Sequence, residues 1–227
     1  MKFLATFVFA LSIAVSGVAQ AHSMKNLEEQ LYDKERYFQR IDKVAPAFSL
    51  QGFDGENVTL EQLRGNVLVL HFIYTNCPDV CPLHAEKLAE IQQMVNQTPM
   101  RDRVRFVTIT TDPKNDTPAV MREYGLDRGL DPSNWLGLTT GPDRLSETRE
   151  LVEKFGHKFT EEGDGYLVHS VVTHVIDKEG RWRANFHGLK FDSTNLLVFV
   201  NALVNDEHGA ESAEGDGFWN TVREWLQ

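Results

Sequence analysis

Two runs of the chain, "NVLVLHFIY" (66–74) and "VRFVTITT" (104–111), are rich in β-branched and aromatic residues and nearly unbroken in hydrophobicity. That pattern predicts strands buried on both faces of a sheet. After the first run the period changes. In "PLHAEKLAEIQQMV" (82–95) Leu88, Ile91 and Val95 recur at helical spacing, with Pro82 near the start. "DTPAVMREYG" (116–125) begins a further helix, with Thr117 as cap and Pro118 in the first turn. "NWLGLTT" (134–140) predicts a short strand and "PDRLSETRELVEKFG" (142–156) a helix ending at Gly156. "YLVHSVVTHVID" (166–177) and "RWRANFHG" (181–188) predict two strands joined by a tight turn at 178–180, and "STNLLVFVNALV" (193–204) predicts a closing helix. Strands alternating with helices and ending in a hairpin predict an α/β fold: a parallel core with an antiparallel edge, and helices on both faces. No internal repeat is present.

The two ends of the chain follow other rules. Residues 1–21 hold one charge, Lys2, then the 16-residue apolar run "FLATFVFALSIAVSGV", then "AQA" with Ala19 and Ala21 in an A-x-A cleavage pattern. This predicts a secretory signal peptide, because a spanning helix needs about 20 apolar residues. Cleavage would leave a soluble chain beginning at His22 in an extracytoplasmic, periplasmic compartment; retention would anchor the chain to a membrane. Residues 22–43 read as a helical N-terminal extension, 44–204 as the domain. At the other end, "NDEHGAESAEGDG" (205–217) carries five acids and no Lys or Arg, a solvated linker. The short amphipathic segment "FWNTVREWLQ" follows, with self-docking expected and a partner or membrane surface as the alternative.

Charge narrows the partners. With 23 Lys and Arg against 33 Asp and Glu, the net charge is −10, and loss of Lys2 takes it to −11. An acidic surface repels phosphate backbones, so nucleic acid is excluded as the expected partner.

Chemistry concentrates in "TNCPDVCPLHAEK" (75–87), which holds the only two cysteines, Cys77 and Cys81. In an oxidising compartment the simplest reading is one structural disulfide. Placement argues for more. The pair straddles a predicted strand-to-helix junction, where unpaired backbone N–H groups and the helix dipole favour thiolate over thiol.

"FIYTNCPDVCP", "TTDPKNDTP" (110–118) and "YLVHSVVTHVID", in that order and at those separations, resemble the Sco (SenC) family of thioredoxin-like copper proteins. The resemblance covers roughly residues 44–204. It implies a thioredoxin-like fold with a central mixed sheet, copper bound by Cys77, Cys81 and His169, and delivery of that copper to cytochrome c oxidase during its assembly. The expected partner is the oxidase's copper-site subunit or another copper chaperone. Asp112 and Asp116 match acidic residues that the family places near the site. Val168 stands where the family usually has aspartate. The chemistry agrees: two soft thiolates select Cu(I), and a neutral imidazole suits Cu(I) or Cu(II). Ligation requires both sulfurs reduced, so a disulfide form would release the metal or be unable to take it.

Each candidate has a competitor. His84 falls with Cys77 and Cys81 at i, i+4 and i+7, a possible local ligand, although an exposed helix histidine is the simpler expectation. His169 read alone is a packed strand histidine, and only the resemblance promotes it. His174 is five residues further along, an odd step that places it on the opposite strand face. His71 is expected as a hydrogen-bonded core residue, His22 as incidental to cleavage, and the two aspartates as a turn and a helix cap that at most support the site. Rival functions fit less well. A peroxiredoxin-like P-x-x-x-T-x-x-C motif would need proline and threonine where Leu70 and Tyr74 stand. A thiol–disulfide oxidoreductase acting on the cysteines of a metal-site partner is the main alternative, although no proline after Pro142 could supply the cis-proline usual in thioredoxins. A zinc site of two cysteines and one histidine is chemically possible but comes without a recognisable general base.

Overall fold

A computed structural model describes residues 24–162, 165–168 and 170–206. The segment expected to be a signal peptide, His22, His169, and the C-terminal residues 207–227 with their expected amphipathic helix lie outside the described residues. The elements in order are α1 (Met24–Lys34), β1 (Phe38–Val44), β2 (Ser49–Gln51), β3 (Asn57–Thr59), β4 (Val67–Ile73), α2 (Val80–Asn96), β5 (Val104–Thr110), α3 (Pro118–Asp127), β6 (Trp135–Leu138), α4 (Leu145–Lys154), β7 (Phe159–Glu162), β8 (Gly165–Val168), β9 (Val172–Ile176), β10 (Arg181–His187) and α5 (Ser193–Asn205).

Six strands form one mixed sheet in the order β1-β10-β9-β4-β5-β6. β4, β5 and β6 run parallel, while β9 and β10 are antiparallel neighbours on the other side of β4. Every residue of β4 is buried, as its unbroken hydrophobicity requires. Its side chains alternate between two cores. Val67 and Val69 pack with Leu88 and Ile91 of α2 and Leu196 and Phe199 of α5. Leu68, Leu70 and Phe72 pack with Leu151 and Val152 of α4 and with Phe155 just after it. Helices thus cover both faces, each buried aliphatic side chain contributing about 1.5–3 kcal/mol. This is the thioredoxin-like mixed α/β fold.

The segment 22–43 is helical over Met24–Lys34, and its last residues enter the sheet as β1, paired with β10. Buried Glu28 of α1 holds it there through Arg40 at 2.8 Å and Arg183 at 2.9 Å. The predicted cap of α3 is present: Thr117 Oγ1 accepts from the Val120 N–H, and Pro118 is the first helical residue. The tight turn between β9 and β10 passes through Gly180 at φ +79°, a conformation suited to glycine.

One expected element differs. The run 166–177 is not a single strand: β8 pairs with β7 in a separate two-stranded sheet, and only β9 joins the main sheet, between β10 and β4. Continuous hydrophobicity reports burial and not the pairing partner, so a change of sheet within one apolar run leaves no mark on the pattern.

Candidate metal centre

β4 delivers the chain to the edge of the core at Ile73, and α2 begins at Val80. The intervening loop turns back on itself, the Cys77 N–H donating to the Tyr74 carbonyl at 3.2 Å. It is held by Asp116, from the turn that follows the neighbouring strand β5. That buried carboxylate accepts the Thr75 N–H at 3.1 Å and the hydroxyls of Thr75 and Thr110. Asp112 does something more local, accepting from the Asn115 side chain at 2.7 Å within its own turn. Of the two acidic residues expected near the site, therefore, Asp116 ties down the cysteine loop and Asp112 shapes the turn behind it.

Cys77 ends up in the loop just before the helix and Cys81 in the first turn of α2, both as free thiols. They share a small apolar cluster with Ile73, Ala85, Met121 and Tyr124 and are 7 % and 9 % exposed. Their side chains interact with each other, and their acidities diverge. Burial alone would raise the Cys77 thiol, but hydrogen bonds from the Asp79 backbone, Cys81 and Tyr74 outweigh it, and the net shift is downward. For Cys81 nothing offsets burial in the same way, and burial, reinforced by Cys77 and Asp116, pushes it up to about 12. One sulfur is thus disposed to be thiolate and the other to keep its proton until something displaces it.

His84 is not the exposed helix histidine that its sequence context suggested. It is 2 % exposed, and its Nε2 is 2.8 Å from the Thr173 hydroxyl of β9. Burial holds its pKa down at about 3. Nor does the i, i+4, i+7 stripe form, because Cys77 precedes the helix and a helical spacing has no meaning outside it. His71 is the core residue expected, its Nε2 2.6 Å from the Thr108 hydroxyl and its ring 4.6 Å from that of His84.

Among the described residues, no group of three His, Cys, Asp or Glu side chains is placed to hold a metal ion. The cysteines provide two soft sulfur donors, and His169, the expected third, lies outside the described residues. Its chain neighbours are informative. Ser170 and Val171 line a cavity of about 20 Å³ whose other walls include Tyr74, Cys81, His84 and Thr111. The segment that follows His169 therefore stands on the same cavity as Cys81.

Several residues around the sulfurs had not been singled out from the sequence. Met121 and Tyr124, three apart on α3, close the cluster, and burial raises the Tyr124 phenol. Their spacing in the predicted helix was the available signal. Thr75 carried none, since its role depends on an aspartate 41 positions away.

The sequence model of the SCO1/SenC family matches residues 38–204, the β1–α5 span that carries the dithiol and the cavity beside it. This chain belongs to the SCO1/SenC family. Among relatives, it is 28% identical over 183 residues to an SCO2-like protein of Rickettsia felis, covering 79% of this chain and 87% of that one. Among solved structures, it is similar to yeast Sco1 with copper bound, at 27% identity and TM-score 0.62, over 75% of this chain and 93% of that one. It is also similar to BsSco, a member of the Sco family of cytochrome c oxidase assembly proteins in which a disulfide switch has been identified. That match has 26% identity and TM-score 0.64, over 74% of this chain and 98% of the other.

Proposed function

We propose that this protein is an extracytoplasmic copper chaperone that takes up copper through Cys77, Cys81 and His169 and delivers it to cytochrome c oxidase during its assembly. The observation that carries the reading is the pair of free, interacting thiols of unequal acidity at the mouth of α2. Copper-bound yeast Sco1 and the oxidase-assembly protein BsSco, over most of their length, support it from outside. Uptake of Cu(I) by the reduced pair forms two Cu–S bonds and releases the proton of each sulfur still protonated, most of all that of Cys81. Two sulfurs and one imidazole leave the ion three-coordinate, so an incoming ligand of the recipient can attack before any bond breaks. Oxidation to a disulfide ties up both sulfur donors and prevents uptake. We further propose that residues 1–21 direct export to the periplasm, and that the recipient is the copper-site subunit of the oxidase or another copper chaperone.

The test is transfer. Full-length reduced protein loaded with Cu(I) without oxygen is mixed with the soluble copper-site fragment of an oxidase in its apo, reduced form. The expected result is copper on the fragment after separation, and no copper bound when the starting chaperone is in its disulfide form. In a parallel arm the metal-free reduced protein is mixed with the fragment in its apo, disulfide form; if that disulfide is reduced while no copper moves in the first arm, the protein acts as a thiol–disulfide oxidoreductase and the proposal is wrong.

A further inference from the structure

His157, His174 and Asn185 have no part in copper ligation as proposed, yet they form one buried chain of hydrogen bonds that ends on Ser170, the residue after His169. The direction of each bond follows from one end of the chain. Trp182 has an indole N–H that can only donate, and its Nε1 lies 2.8 Å from Asn185 Oδ1, which must accept. The other side of that amide agrees, Nδ2 donating to Gln39 Oε1 at 3.0 Å. His174 Nδ1, 2.7 Å from the same Asn185 oxygen, therefore carries the hydrogen. His174 is fully buried, and burial holds its pKa well below the ordinary value, so the ring is neutral and its Nε2 is an acceptor. His157 Nε2 lies 2.8 Å from that atom and must donate to it. Burial holds His157 at about 4, so this ring is neutral too and its Nδ1 accepts. Ser170 Oγ, 2.6 Å from Nδ1, supplies the hydrogen.

Reversing any one bond would set two hydrogens or two lone pairs against each other in a buried place, a cost of about 1–3 kcal/mol for each unsatisfied group. The rings are also clamped. Phe72 lies 5.0 Å from His157, and Phe155 and Trp182 each lie 5.0 Å from His174. Ser170 is thus held by its hydroxyl, while the next carbonyl, that of Val171, accepts the Gly188 N–H at 2.7 Å.

We infer that His157 is a positioning residue for the copper site: through Ser170 it fixes the backbone adjoining His169 at the cavity that Cys81 lines. The inference rests on the proposed reading of Cys77, Cys81 and His169 as ligands. A ligand whose flanking backbone is already fixed loses little freedom when it binds, and loss of such outer support typically costs about 10–100-fold in metal affinity.

The experiment loads full-length variants with Cu(II) and records the sulfur-to-copper charge-transfer absorption and the electron paramagnetic resonance spectrum, together with copper retention against a chelator. Circular dichroism confirms folding. Ser170→Ala removes only the hydroxyl, His157→Phe keeps the ring volume, and Ser170→Thr restores a hydroxyl. His169→Ala tests the underlying ligand reading. Ser170→Ala and His157→Phe are expected to shift both spectra and to lower retention about tenfold or more, with Ser170→Thr returning to the parent signature. Parent-like spectra and retention in Ser170→Ala, with His169→Ala impaired, overturn the inference and leave the ligand reading standing. Parent-like behaviour of His169→Ala overturns both. Should His157→Phe fail to fold, Ser170→Ala decides alone.

Discussion

Two thiols four positions apart behave differently because the chain places one in a loop and the other on a helix. Cys77 sits among the Asp79 backbone, Cys81 and Tyr74, whose hydrogen bonds favour its thiolate despite burial. At Cys81 burial prevails, reinforced by Cys77 and the Asp116 carboxylate. Because only the thiolate is nucleophilic, alkylation of the reduced protein should strike Cys77 first. Peptide mapping after brief iodoacetamide treatment at pH 7 is expected to find Cys77 modified well ahead of Cys81. Raising the pH towards 9 should accelerate the reaction at any thiol still protonated at pH 7, with Cys81, displaced to about 12, still the slower. Equal rates, or Cys81 first, would show the assigned asymmetry to be wrong. The two cysteines were legible in the sequence because their placement depends on a local strand-to-helix change. The environment that separates them was not, since Thr75 and Asp116 meet across 41 positions and His84 turns inward to meet Thr173 across 89.

Elements whose character is set by their own residues were legible: the fully buried β4, the Thr117 cap of α3 and the turn at Gly180. Where character depends on a neighbour, pattern was silent, as in the division of 166–177 between two sheets. Gly125 of α3 is a second such case. By helix propensity alone, replacing it with alanine should stabilise α3 by about 1 kcal/mol. The structure says otherwise, because an added Cβ would lie 1.8 Å from the Trp135 ring, itself 1 % exposed with its indole donating to Thr108 at 2.9 Å. Overpacking of this kind costs about 1–3 kcal/mol and outweighs the propensity gain. Gly125→Ala is expected to lower the urea midpoint. An unchanged or raised midpoint would mean that α3 does not press on β6 as described.

At the level of the molecule, the sheet order places the dithiol where β4 and β5, parallel neighbours, both end, with β9 approaching antiparallel on the other side. β9 therefore starts beside the cysteines, and the residues immediately before it, Ser170 and Val171, reach the cavity that Cys81 lines. Three segments far apart in sequence converge: the cysteine loop, the Asp116 turn and the approach to β9. The alternation of strands and helices predicted that such a mixed sheet would form. The proposal that a histidine, rather than any other residue of 166–177, completes the site rests on the Sco resemblance, because spacing alone cannot say which strand residue faces a loop about 90 positions earlier.

The claim that the site joins two sulfurs to that histidine is tested most directly by an anaerobic Cu(I) competition titration on the reduced full-length chain. The parent would be compared with Cys77→Ser, Cys81→Ser, His169→Ala and, as the matched control, His84→Ala. The account predicts loss of tight binding in both cysteine variants and affinity reduced about 10–100-fold or more in His169→Ala, taking lost outer support as the lower guide. His84→Ala should bind like the parent, since its imidazole is engaged with Thr173 in the core. Weakened binding in His84→Ala with full affinity in His169→Ala would contradict the account and move the site onto α2.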